Sequence, residues 1–331
     1  MPVSRKLDST SFKSFLKGEK AVSRNPVRLV LVIYVLLLLS RFADAASLGG
    51  ENKFLTTILL QLLIFSIPAY LYIFFRKDLT VKRIRLVPFR LSHLFLVLFG
   101  TVFLICACTL LAILCGMMHG QESFTLYDTF SVPQEGGTIA LIQVILTYGV
   151  LPAFCEELVF RGIICTEYES RGILYASAIS AVLFALLHFD LSALPVYLFA
   201  GFFLSVMLYM TRSVVAAMVV HLGYNLFGIF AQSGLSGYCQ STGQIGLLIV
   251  LLVAFLLLSA ALFCGEATRI LKRRAKPSLF ERASDATATP GFNRIPWRTF
   301  PKAFLSAFAL PEGCTCALLW VAAVVHHIVV S

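Results

Sequence analysis

The sequence predicts an all-α protein, a polytopic membrane helix bundle, and three observations carry that expectation. Of 331 residues 59% are hydrophobic and only 13% are charged. The mean hydropathy is +0.87. The apolar residues stand in long unbroken runs rather than in alternating or one-sided stripes, as in helices surrounded by lipid and by one another. Soluble domains are about one quarter charged, so a water-soluble globule of this size would lack the polar material to cover its surface. A soluble enzyme is therefore excluded.

A hydrocarbon layer about 30 Å thick needs roughly 20 mostly apolar residues per helix. By that measure eight transmembrane helices are expected, at about 28–46, 54–75, 92–118, 138–160, 173–188, 194–211, 213–232 and 244–264. Residues 1–27 form a basic N-terminal segment, 28–137 hold three helices and their loops, and 138–232 hold a polar-studded core. The eighth helix occupies 233–264, and 265–331 form a basic, proline-bearing tail with a short hydrophobic C-terminal segment. That segment, 317–330, is short for a ninth helix and either crosses, re-enters or lies flat. A basic leader, the apolar run 29–39 and Ala43-Asp44-Ala45 also have the look of a cleaved secretion signal. The long polar lead favours a retained anchor instead.

The net charge of +10 arises from 27 Lys and Arg against 17 Asp and Glu. The cations sit in blocks between apolar runs, and 24 of them fall on one side of the eight crossings. The positive-inside rule makes that side cytoplasmic, with both the N-terminus and the basic tail there. The expected location is thus a multi-pass membrane protein, with the cell membrane as its site. Charge blocks of this kind attract anionic lipid; no nucleic-acid recognition motif accompanies them, so the bilayer is the expected partner and nucleic acid is not. The nine cysteines have neither zinc-finger nor redox spacing and read as small apolar residues.

The informative residues are polar ones inside the apolar runs, where an ionisable side chain costs about 2.5–3.5 kcal/mol at mid-helix. Glu157 and Arg161 are four apart in the fourth helix and can pair on one face. Glu156 points away from that pair. In the fifth, Phe184 and His188 share a face, and Glu156 and His188 stand at equal sequence distance from the turn near Gly172. In the seventh, His221 and Asn225 are four apart. Gly201 and Gly223 permit close helix approach. Singly, each has a bland reading: a structural clasp, a packed imidazole, a bridging amide. Together they are harder to explain as packing, because three neighbouring helices collect two carboxylates, a guanidinium, two imidazoles and an amide. His93, His119, His326 and His327 lack partners at ligand spacing and read as structural.

A carboxyl in low dielectric is a stronger base than one in water, which suits Glu156 to take a proton from water with His188 beside it. His221 and Asn225 can donate to the oxyanion that forms when water attacks a peptide carbonyl. A second mechanism uses Glu156, His188 and His221 as ligands of Zn²⁺ with a bound water. The residues leave both open, with no cofactor or with zinc. The helical His-Glu-x-x-His motif of soluble zinc proteases is absent.

Glu156-Glu157-x-x-x-Arg161, Phe184-x-x-x-His188 and His221-x-x-x-Asn225, in that order on successive apolar helices, resemble the CAAX protease and bacteriocin-processing family of intramembrane proteases, which includes the type II CAAX prenyl endopeptidases. The stretches 156–162 and 201–225 fit in register, and the resemblance covers about 140–230. It implies an intramembrane endopeptidase that cleaves a membrane-associated protein or peptide, in CAAX-type processing or in bacterial peptide and immunity processing. It further implies that Glu156 and His188 activate water, that His221 and Asn225 form the oxyanion site, and that Glu157, Arg161 and Phe184 support them. Members are commonly labelled metalloproteases, though a metal-independent glutamate mechanism is also argued. Two other functions compete. One is a catalytically silent membrane scaffold of the same fold; the other is a proton-coupled transporter, against which stands the lack of a matching second half.

Overall fold

The computed structural model describes residues 26–40, 53–118, 137–275 and 291–330. The Ala43-Asp44-Ala45 stretch, almost all of the loop from 119 and the middle of the basic tail lie outside these. The described residues are helices joined by turns, with no strand among them. In chain order they are α1 (Pro26–Ser40), α2 (Lys53–Gln61), α3 (Ile67–Phe75), α4 (Leu94–Met118), α5 (Gly137–Val144), α6 (Leu151–Glu157) and α7 (Cys165–Tyr168). Then come α8 (Ile173–Leu186), α9 (Leu194–Thr211), α10 (Val214–Phe227), α11 (Ser233–Thr242), α12 (Ile245–Ala275), α13 (Phe300–Phe308) and α14 (Pro311–Val330).

Among the described residues six continuous stretches are long and apolar enough to cross a membrane: Phe54–Phe75, Leu91–Gly116, Thr138–Arg171, Leu194–Thr211, Val214–Thr242 and Ile245–Arg274. The pair α13 and α14, bent by 75°, would make a seventh if taken as one crossing. The all-α polytopic bundle therefore stands, with six or seven spans where eight were expected. The shortfall lies at 28–46 and 173–188, which appear as the shorter apolar helices Pro26–Ser40 and Ile173–Leu186.

Backbone geometry fixes the length of α8. Gly172 precedes it at φ 113, a conformation that L side chains rarely adopt, and Phe189 follows it at φ 51. Asp190 then accepts from the backbone N–H of Ser192 at 2.8 Å and that of Ala193 at 3.2 Å, turning the chain into α9 with Pro195 in its first turn. Apolar composition alone continues through this turn, which is why the sequence suggests a longer helix.

Four segments run in the wider π register: Leu62–Ser66, Ile145–Val150, Leu158–Ile164 and Gly228–Gln232. Such segments are rare and occur disproportionately at functional sites. The one at Ile145–Val150 has a local cause. Pro152 has no N–H to return to the preceding turn, and in a π register that bond would end on the Thr147 carbonyl. Gln61 Nε2 donates to that carbonyl instead, at 3.1 Å.

Two large buried clusters hold the bundle, and a small third one, Cys106, Ile113 and Leu252, joins α4 to α12. The larger joins α1, the α2–α3 span, the Thr138–Arg171 span, α8 and the C-terminal helices, through Ile33, Tyr34, Phe160, Ile164, Tyr175, Leu183 and Phe184. The other joins α4, α9 and α10 through Leu104, Phe203, Leu204 and Val220. Outward faces carry exposed apolar side chains such as Phe74, Leu98, Val250 and Leu257, as contact with lipid requires. The basic loop after α3 locks onto the core: Arg76 pairs with buried Glu167 at 2.9 Å and Arg85 with Glu169 at 2.7 Å. The Arg85 carbonyl accepts from Val214 N at 2.9 Å and so fixes the start of α10. A strap from the tail does the same for α8, whose Ile173 and Leu174 N–H groups donate to the carbonyls of Gly291 and Phe292, both at 3.0 Å.

Candidate active site

Glu157 ends α6 and is fully buried. Its Oε1 accepts from Arg161 Nη1 at 2.8 Å and from His221 Nδ1 at 2.9 Å, joining the Thr138–Arg171 span to α10. Arg161, also fully buried, donates through Nη2 to the Gly201 carbonyl of α9 at 2.8 Å. Its guanidinium lies over the Phe184 ring of α8, 4.6 Å from the centroid. One carboxylate and one guanidinium thus tie together four elements of the core. Glycine at 201 is required for this, because a Cβ there would stand 3.0 Å from Ala181 Cα and 3.1 Å from Phe184 Cδ1.

The expected Glu157–Arg161 pair is present, and the structure adds His221 to it. A carboxylate only accepts, so His221 Nδ1 carries the proton and, in the neutral ring, Nε2 is the unprotonated nitrogen. The 64 residues between Glu157 and His221 give no periodic signal, and the sequence reading assigned Glu157 to Arg161 alone. Among the described residues Glu157 Oε2 and Arg161 Nε are buried without a hydrogen-bond partner.

Glu156, the preceding residue, is only partly buried and makes no hydrogen bond or ion pair among the described residues. Its carboxyl lies within electrostatic reach of His221, Glu157 and Arg161. His188 sits just beyond the end of α8, partly exposed, with Nδ1 3.1 Å from the Phe184 carbonyl. A carbonyl only accepts, so this bond too places the proton on Nδ1. The His188 ring stacks on Tyr197 of α9 at 3.7 Å and 14°, and Phe184 meets the rings of both His188 and His221 edge-on at 5.1 and 6.0 Å. Phe184 is therefore the common wall between the two imidazoles. The sequence singled out Phe184 by its four-residue spacing but had no means of finding Tyr197, nine residues past His188 across a reversal. No direct hydrogen bond joins Glu156 to His188.

Asn225, one turn beyond His221, is buried and donates through Nδ2 to the Gly149 carbonyl at 3.3 Å. That carbonyl belongs to the same π segment that Gln61 braces from α2. Glu156, His188 and His221 do not gather as a zinc ligand set: among the described residues no group of three or more His, Cys, Asp or Glu is placed to hold a metal ion. Among the described residues the arrangement presents one carboxyl without a hydrogen-bond partner, within electrostatic reach of His221, and two imidazoles whose Nδ1 atoms are each anchored.

Residues 138–227 match a protein-family model described as type II CAAX prenyl endopeptidase Rce1-like. No curated protein and no solved structure gives a match to the chain. The matched stretch contains Glu156, Glu157, Arg161, Phe184, His188, His221 and Asn225, and leaves out α1 to α4 and everything after α10. The segment that holds all these polar groups is thus similar to the type II CAAX prenyl endopeptidases, a protease family.

Proposed function

We propose that the protein is an intramembrane endopeptidase that hydrolyses a peptide bond of a membrane-associated protein or peptide with water activated by Glu156 and His188. The observation that carries this reading is the division of labour between adjacent carboxyls. Glu157 is consumed by Arg161 and His221, whereas Glu156 beside them has no hydrogen-bond partner among the described residues. In the reaction Glu156 takes a proton from a water held between it and His188, and the water oxygen attacks the peptide carbonyl carbon. Negative charge gathers on the carbonyl oxygen, to which Asn225 donates its second Nδ2 hydrogen and His221, protonated at both ring nitrogens, donates Nε2–H while Nδ1–H stays on Glu157. As the C–N bond breaks, the departing amine takes up the proton that Glu156 received. Glu157 acts on the reaction through His221, by fixing the ring that meets the oxyanion.

The substrate class that fits the family is a lipidated or otherwise membrane-held peptide terminus. The charge distribution supports an orientation with the N-terminus and the basic tail in the cytoplasm. The test is a comparison of membrane-associated peptide termini in cells carrying the wild-type chain or Glu156→Gln. The wild type should generate termini that the variant does not, with both proteins present at equal level. Identical terminus profiles would refute the reading.

A further inference from the structure

The helix that carries His188 is capped from outside the family-matched segment. α8 stops at Leu186, and its last turn bends into three-residue hydrogen bonds, with Leu187 N donating to the Phe184 carbonyl at 3.2 Å and His188 N to that of Ala185 at 3.3 Å. In such a final turn the helix's own donors give out and carbonyls need partners from elsewhere. Two adjacent carbonyls of this turn receive side chains. Phe184 O takes His188 Nδ1 at 3.1 Å, and Leu183 O takes the hydroxyl of Tyr34 at 2.6 Å. Tyr34 belongs to α1, is fully buried and lies 149 residues away in sequence. Its ring also meets Phe189 edge-on at 5.5 Å. Phe189 has φ 51, a left-handed conformation that an aromatic residue keeps only where its surroundings over-determine it. His188 therefore sits between a capped carbonyl on one side and a pinned left-handed residue on the other, and Tyr34 supplies both restraints. Ile33 and Val30 on α1 bury beside it in the same cluster as Leu183, Phe184 and Leu187.

We infer that Tyr34 is a positioning residue of the active site, setting the ring of His188 through the Leu183 carbonyl and Phe189, and that α1 is accordingly part of the working enzyme. The catalytic half of this inference rests on the role of His188 proposed above. The test is Tyr34→Phe, which keeps the ring and removes only the hydroxyl, in the full chain in proteoliposomes. Hydrogen–deuterium exchange of residues 184–190 should rise about fivefold to tenfold, the effect of losing one hydrogen bond, while exchange in α9 and α10 stays as in the wild type. Cleavage of an internally quenched farnesylated CAAX peptide should lose about tenfold in kcat at unchanged KM, the pattern of a group that aligns rather than binds. A merely structural role would not produce the third result: in a His188→Ala background the hydroxyl should make no further difference to the residual rate. Unchanged exchange at 184–190, unchanged kcat, or a Tyr34→Phe loss that persists without His188 would each overturn the inference. Wild-type cleavage by His188→Ala would instead overturn the proposed reaction and leave the exchange result standing.

Discussion

Replacing Arg161 with Met tests what the buried network is for. The substitution removes a guanidinium that is fully buried, as is the carboxylate it meets. Glu157 would then face the interior with only the His221 N–H against its Oε1 and nothing on Oε2. Breaking one side of a buried ion pair costs about 3–5 kcal/mol, because the remaining charge is left uncompensated. That range already includes much of the lost bond to Gly201 O, worth about 1 kcal/mol, and of the cation–ring contact with Phe184, worth up to about 2 kcal/mol. Adding Glu157→Gln to Arg161→Met removes the stranded charge and keeps an acceptor for His221. Most of the loss should therefore be recovered, leaving a net cost of about 1–2 kcal/mol and a coupling energy of at least about 2 kcal/mol. The assay is helix content by circular dichroism through an SDS titration in mixed micelles, for the wild type, both single variants and the double. The reasoning fails if Arg161→Met costs less than about 1 kcal/mol, or if the double variant is no more stable than Arg161→Met.

Three further outcomes follow from the same contacts. Gly201→Ala should destabilise by about 1–3 kcal/mol in that titration and reduce cleavage, since its Cβ would push α9 away from Ala181 and Phe184. Gln61→Leu should leave the Thr147 carbonyl without its donor and speed amide exchange over 147–152 by about fivefold, with α12 unaffected. At Asp78, slight burial works against the charged form, but the hydrogen bond and charge of Arg76, backed by Arg83, outweigh it and hold the carboxyl below the usual carboxylate range. A depressed carboxyl contributes stability above its unfolded pKa and loses it as pH falls through its folded value. Limited proteolysis of the 76–90 loop should therefore accelerate below about pH 4, and more weakly in high salt because Asp78 is half exposed.

Those residues also mark where sequence reading succeeds and where it stops. Apolar runs are legible because lipid allows nothing else for the length of a span, and six of the eight expected helices appear at that length. Glu157 with Arg161 is legible because four residues make one helical turn. The same rule selected Phe184 with His188 and His221 with Asn225; five of these six lie in the network or against it, and Asn225 binds the Gly149 carbonyl. What the sequence hides is every link between helices: Glu157 to His221, Arg161 to Gly201, Tyr34 to Leu183. No local period encodes a contact across 40 to 149 residues. The end of α8 was hidden for another reason, since hydropathy does not register the left-handed Phe189 or the aspartate turn behind it.

The shortness of α8 has a consequence for the surrounding lipid. Fourteen residues of helix reach about 21 Å, some 9 Å less than a typical hydrocarbon layer. Acyl chains beside its half-buried stripe would bend inward to meet it unless the Phe189–Ala193 reversal fills the deficit. Such a mismatch has an energy that grows with bilayer thickness. Short-chain phosphatidylcholine should therefore favour the native packing around α8 and long-chain phosphatidylcholine oppose it, making acyl length a dial on turnover that no residue substitution provides.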